Sequence, residues 1–148
     1  MLLKQISVFV ENRRGKITEI TETLAAGGID LRAVSLIDTS EFGLLRLIVS
    51  KPDEACALLR KAGMMVRVSE VVAVGVSDKP GEFSKVTKLV ADAGVDLEYL
   101  YTLAYCNCKE DEAVIIMRLD QPGAGISALR SAGFRIIEPE EIYGCDTQ

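Results

Sequence analysis

The sequence predicts an α+β protein built from two like domains in tandem, spanning 1–70 and 71–148. Each is read as a β-α-β-β-α-β unit with an antiparallel sheet. Three observations carry this reading. The chain repeats itself, strand-like and helix-like stretches follow one order in both copies, and glycines punctuate the copies at matching places.

The repeat is direct. Gln5-Ile6-Ser7-Val8-Phe9-Val10, Gly15, Leu24-Ala25 and Gly28-Ile29-Asp30-Leu31 recur as Val71 to Val76, Gly81, Val90-Ala91 and Gly94-Val95-Asp96-Leu97. Further on, Leu44 to Val49, Pro52, Leu59-Arg60 and Ala62-Gly63 recur as Val114 to Leu119, Pro122, Leu129-Arg130 and Ala132-Gly133. The first set is offset by 66 positions (Gly15 to Gly81) and the second by 70 (Leu44 to Val114), so copy two carries extra residues between Leu97 and Ala113.

Each element has a local reason. The first strands, Ile6–Val10 and Val71–Val76, are rich in β-branched and aromatic residues. A glycine loop follows, then a helix with apolar residues at Ile17, Ile20 and Leu24, or at Phe83, Val86, Leu89 and Val90. Spacings of three and four mark one buried face. Gly27-Gly28 and Gly94 end these helices, since glycine accepts the left-handed cap. Second strands are expected over Leu31–Ile37 and Leu97–Tyr105, and third strands over Leu44–Val49 and Ala113–Leu119. Polar clusters at Asp38-Thr39-Ser40-Glu41 and Asn107-Cys108-Lys109-Glu110-Asp111 suit hairpin tips between them. Second helices are placed near Asp53–Ala62 and Gly125–Ala132, ended by Gly63 and Gly133, and short fourth strands at Val66–Glu70 and Arg135–Glu138. This order is the ferredoxin-like split βαβ arrangement, with both helices on one face of the sheet.

That arrangement leaves a sheet face without helices. A solvated face shows polar residues at alternate positions, yet Leu44, Leu47, Ile48 and Val49 fall on both faces, as do Val114, Ile115, Ile116 and Met117. Tyr99, Tyr101, Leu103 and Tyr105 share one face. The helix-free faces are therefore expected to be covered, by sheets lying side by side or face to face, or by a second subunit in a homodimer.

Bulk properties narrow the function. Two domains of this size are small and lean on a partner, and 49% hydrophobic residues with a mean hydropathy of +0.22 fit buried apolar surface between domains or subunits. The net charge of −5 and dispersed lysines and arginines disfavour nucleic acid. Met1-Leu2-Leu3-Lys4-Gln5 has no secretory pattern, and no stretch approaches a membrane span. A cytoplasmic protein with reduced thiols is expected. There is no histidine, which removes Ser-His and Cys-His nucleophile activation and histidine acid–base chemistry. No pair of carboxylates stands out by spacing, and no enzyme activity is expected.

The chemistry is expected in the repeated loop between first strand and first helix: Glu11-Asn12-Arg13-Arg14-Gly15-Lys16-Ile17, and Ser77-Asp78-Lys79-Pro80-Gly81-Glu82-Phe83. Its glycine permits a tight backbone and close approach by another group. Pro80 suits a helix start. The N–H groups at that start favour an anion such as a carboxylate. Asn12 or Asp78 either caps the helix or meets a ligand amine. Asp30 and Asp96, entering the second strands, either cap a turn or reach a neighbouring domain's loop.

With these loops and turns in this order, each copy resembles an ACT domain, a small ligand-binding module of amino-acid metabolism. The resemblance covers nearly the whole chain. It implies a regulatory module that binds a free amino acid between paired domains, contacting the glycine loop of one and the start of the second strand of its neighbour. Carried over, the loop residues are Glu11, Asn12, Arg14, Gly15, Lys16 and Ile17, with Ser77, Asp78, Pro80, Gly81, Glu82 and Phe83. The strand residues are Asp30, Leu31, Asp96 and Leu97. Copy one departs from the usual pattern with Arg14 where proline often stands, and copy two with Ser77-Asp78 for Glu11-Asn12, so the sites are not chemically equal. Clustered carboxylates (Glu11, Asp30, Asp78, Asp96) favour neutral, polar or basic amino acids over acidic ones. Family members are usually fused to a catalytic or DNA-binding domain, for which 148 residues leave no room. The chain is thus expected to be a free-standing sensor, or the regulatory subunit of a separate biosynthetic enzyme of the acetolactate-synthase kind.

A cysteine-based metal or redox module is the rival reading. Cys106-Asn107-Cys108 supplies two ligands where a structural zinc needs four, and Cys145 adds a third. No metal and no cofactor are expected. Cys56 reads as a small buried hydrophobe on the second helix. Gly123-Ala124-Gly125 lacks a Walker lysine and reads as a turn before a helix.

Overall fold

The structure is a computed structural model, and it describes residues 2–38, 41–103 and 110–144. The element order is β1 (Leu3–Glu11), α1 (Lys16–Ala26), β2 (Leu31–Asp38), β3 (Phe42–Val49), α2 (Pro52–Lys61), β4 (Met65–Ser77), α3 (Glu82–Asp92), β5 (Leu97–Thr102), β6 (Glu112–Leu119), α4 (Pro122–Ser131), β7 (Arg135–Ile136) and α5 (Pro139–Tyr143). These are two tandem ferredoxin-like units with antiparallel strands. By contact density one compact unit is Lys4–Ser69, and the other is Glu70–Gln148 with Met1–Leu3.

In the first unit β3 lies between β1 and β2, antiparallel to both, with Ile6 opposite Leu47 and Leu47 opposite Val34. Alternation along the strands then decides what faces the helices. Ile6, Val8 and Val10 of β1 and Leu45, Leu47 and Val49 of β3 pack with Ile20 and Leu24 of α1 and Ala55, Cys56 and Leu59 of α2. The helix-free face is more polar at its centre than the sequence suggested. Ser7 stands opposite Arg46, and Arg46 opposite Ser35. Gln5 and Ser7 are nonetheless buried.

In the second unit the order is β5-β6-β4-β7. Val72, Val74 and Val76 of β4 and Ile115, Met117 and Leu119 of β6 join Val86, Val90, Ile126 and Leu129 of the helices in a second core. Here the helix-free face is apolar, as expected: Val71, Ala73, Val114 and Ile116 are all buried. Tyr101 lies opposite Ile116 and Tyr99 opposite Arg118, so both tyrosines share that face. Tyr105 lies outside the described residues, as do parts of both hairpin tips.

Three expectations are corrected. The fourth strand of copy one and the first strand of copy two are one strand, β4; no glycine or proline interrupts Met65 to Val74. Arg135–Glu138 is not a full strand. Only Arg135 and Ile136 pair, and the chain then enters α5, whose start is a capping box between Glu138 and Glu141 with Pro139 in its first turn. Gly123-Ala124-Gly125 lies inside the first turns of α4 rather than before it. The small size of Gly125 lets Leu119 pack against the helix, where a Cβ would collide with its side chain.

Truncating a fully buried leucine removes packing that the surroundings only partly recover. Leu59→Ala is expected to cost about 2–5 kcal/mol, read as a lowered urea midpoint of the far-ultraviolet circular dichroism transition.

Candidate ligand-binding site

The glycine loops are built alike. Gly15 (φ 83°) and Gly81 (φ 89°) adopt the left-handed conformation at the N-caps of α1 and α3. The preceding turns close through Lys16 N–H to the Arg13 carbonyl and Glu82 N–H to the Lys79 carbonyl, each at 3.2 Å. Neither helix has a side-chain cap. Asn12 and Asp78 therefore do not cap, and Pro80 lies one residue before the cap rather than in the first turn. Side-chain oxygens that would satisfy the first-turn N–H groups stay away from them. Those groups and the helix dipole remain suited to an anion.

Around the loops, Glu11 ends β1 and Ser77 ends β4, both exposed. Asn12, Arg14, Asp78 and Pro80 are exposed in the loops themselves. Lys16 and Ile17 are half-buried in the first turn of α1, and Glu82 is half-buried and Phe83 exposed in that of α3. Glu19 draws in both Lys16 (3.4 Å) and Arg13 (3.7 Å), while Lys85 pairs with Glu82 at 2.6 Å. The second loop is tied to its hairpin by the Asp78 N–H, which donates to the Asp111 carbonyl at 2.8 Å.

Copy one shows a notch of 130 Å³ on the helix side of β1, lined by Glu11, Asn12, Arg13 and Ile17 with Leu36 and Asp38 of β2. The loop residues Glu11, Asn12 and Ile17 were expected there. Arg13 and Asp38 were not: Asp38 had been read only as part of a hairpin tip. Its place follows from the register, which sets Asp38 opposite Gly43 and Gly43 opposite Val10, level with the loop.

Asp30 and Asp96 sit at the other end of the sheet. The Ser50 N–H donates to the Asp30 carbonyl and the Asp30 N–H to the Ser50 hydroxyl, each at 3.0 Å, and the Asp30 carboxylate accepts from the Arg32 guanidinium at 2.8 Å. Arg32 is buried. Asp96 makes the equivalent turn, its N–H donating to the Asp120 carboxylate at 2.8 Å, but no arginine follows it. Leu31 and Leu97 are half-buried at the strand starts. Within one unit, then, the two groups of candidate residues are not brought together.

Of the cysteines, Cys56 is buried in the first core, and burial pushes its thiol pKa up. Cys106, Cys108 and Cys145 lie outside the described residues. Among the described residues no group of three or more Cys, Asp or Glu side chains is arranged to hold a metal ion. No helix among them is long and apolar enough to cross a membrane.

Two β-α-β-β-α-β units, each with a glycine loop leading into its first helix, define a tandem ferredoxin-like architecture. The chain belongs to the ACT domain family: the family model of an ACT domain pair matches residues 1–140. An ACT domain pair is a regulatory module. Among solved structures, protein BT0572 from Bacteroides thetaiotaomicron is 31% identical, with 97% of this chain and 96% of that chain covered and a TM-score of 0.89. The regulatory subunit of aspartate kinase from Thermus thermophilus, in its ligand-free form, is 20% identical over 88% of this chain and 92% of its own, with a TM-score of 0.65, and shares the fold. No curated protein sequence matches the chain.

The two aspartates are expected to behave differently on substitution. Asp30→Ala takes a partner from a buried guanidinium and should lower stability by about 1–3 kcal/mol. Asp96→Ala removes no such pair and should leave the urea midpoint nearly unchanged. The raised Cys56 pKa means less thiolate at any given pH. In a chain carrying Cys106→Ser, Cys108→Ser and Cys145→Ser, Ellman's reagent at pH 8 should label Cys56 far more slowly in the native protein than in urea.

Proposed function

We propose that the chain is a cytoplasmic amino-acid sensor, a regulatory protein that binds a free amino acid where the glycine loop of one ACT domain meets the second-strand start of a neighbour. The observation that carries this reading is the repeated loop. In both copies a left-handed glycine caps the first helix and no side chain does, which keeps first-turn N–H groups available to a ligand carboxylate. The residues proposed to bind are the loop sets around Gly15 and Gly81, with Asp96 and Leu97, Asp30 and Leu31. Glu11, Asp78 and Asp96 offer carboxylates to an ammonium group, whereas that of Asp30 is engaged by Arg32. Neutral, polar or basic amino acids are favoured over acidic ones.

No catalytic role is assigned. A ligand held by two domains favours the arrangement that brings them together, and a partner that binds this arrangement better reads the ligand by linkage. That partner is either a second copy in a homodimer or a separate metabolic enzyme. The second possibility is supported by the fold shared with a protein named as a regulatory subunit of aspartate kinase.

A thermal-shift screen of the chain against the twenty amino acids tests the proposal. A ligand that binds only the native state raises the melting temperature by mass action. One or two amino acids are expected to do so, and aspartate is not. Asp78→Ala and Asp96→Ala are each expected to keep the unliganded melting temperature and lose most of the shift. No shift with any amino acid at millimolar concentration would remove the sensing reading.

A further inference from the structure

The two copies carry the same groove with opposite chemistry. In copy one it measures 450 Å³ and is lined by Phe9, Phe42, Met64 and Met65, with Glu11 and Lys16 at its polar side. In copy two it measures 530 Å³, and the residues matching Phe9, Phe42 and Met65 are Gly75, Glu112 and Arg135. This groove opens on the helix-free side of β1, through Phe9, whereas the notch beside the glycine loop opens on the helix side, through Val10.

Copy two lines its groove with charged side chains. The Glu112 carboxylate occupies the space that a Cβ on residue 75 would need. Arg135 clamps it with two hydrogen bonds, Nε at 3.2 Å and Nη2 at 3.0 Å, and reaches Glu141 of α5 at 2.6 Å. This bidentate pairing fixes both side chains. Copy one carries Phe42 and Met65 at the matching positions. Phe9, Phe42 and Met65 are 44%, 55% and 69% exposed.

We infer that the copy-one groove is a second ligand site, which takes a free amino acid with an aliphatic or aromatic side chain. Its volume is that of a small-molecule pocket. Two phenylalanine rings and two methionines make an adaptable apolar wall. Glu11 and Lys16, whose ammonium also lies 3.4 Å from Glu19, give that wall one negative and one positive group, complementary to the ammonium and carboxylate of a zwitterion. A plain hydrocarbon has no use for this pair, and an acidic or basic side chain would be desolvated against the apolar wall. The inference rests on the amino-acid-sensing reading and adds to it a place and a side-chain class.

The test is isothermal titration calorimetry of the full chain with L-phenylalanine, L-leucine and phenylethylamine. The variant is Phe42→Glu with Met65→Arg, which replaces two residues of the apolar wall with the charged residues of copy two. Both positions are exposed, so the fold should hold, as circular dichroism would show; Met65→Arg alone serves if the double variant does not fold. Phenylalanine or leucine should bind the wild type and phenylethylamine much more weakly. The variant should lose at least about tenfold in affinity, a change of about 1.4 kcal/mol. Unchanged binding by the variant with loss in Asp96→Ala would overturn the groove and leave the sensing reading intact. Failure of all amino acids to bind the wild type would end both. A variant that only converts a dimer to a monomer in sedimentation, with no ligand bound by either protein, would make the groove a self-association face and overturn the proposal.

Discussion

Strand direction constrains everything else in each unit. β3 is antiparallel to both β1 and β2, so β1 and β2 run the same way. The loop that leaves β1 then lies at one end of the sheet and the residue that enters β2 at the other. Asp30 is held beside Ser50 and Asp38 beside Gly43, the full length of the strand apart. No side-chain movement closes that distance. A small ligand that touches both a glycine loop and a β2 start must take them from different domains. Under the proposed binding mode, duplication of the unit, in one chain or through a partner, is a physical requirement.

Duplication also frees the copies to differ where the backbone does not care. The left-handed caps persist because only glycine takes that conformation without strain: Gly15 and Gly81 have nothing within 4 Å of the missing Cβ, so it is φ, not space, that holds them. Side chains around the same backbone have diverged. The first loop carries Arg13, Arg14 and Lys16 against Glu11, and the second carries Asp78 and Glu82 against Lys79. The groove on the other side of β1 has gone from an open apolar wall to an ion pair over Gly75. Equal folds do not make equal sites.

Much of this architecture was legible in the sequence, for reasons that can be named. The repeat placed the strands and helices. Alternation along Ile6–Val10 and spacing along Ile20 and Leu24 gave the core face of each. The division of β4 into two strands came from reading each copy as a closed unit, although the apolar run through Val71 to Val74 had no breaker. Copy two's final helix was missed because its N-cap is Glu138, not a serine or threonine. The signals that remained were Pro139 in the first turn and Glu141 at the third position. At the site, the glycine loops were readable because their residues are adjacent. Asp38 was not, since only cross-strand register through Gly43 sets it level with Val10.

The groove was illegible for a stronger version of the same reason. Phe9, Phe42 and Met65 come from three strands, and each alone is an ordinary strand residue in the sequence. Their meaning appears only beside Gly75, Glu112 and Arg135, which stand at matching places in the other unit. A bidentate arginine–carboxylate pair is self-contained, satisfied by its own hydrogen bonds and by Glu141. An apolar wall held open beside a glutamate and a lysine leaves surface whose burial stabilises whatever fits it. The internal copy thus serves as the comparison: the same fold carries a groove of similar size with charged residues in place of the apolar wall.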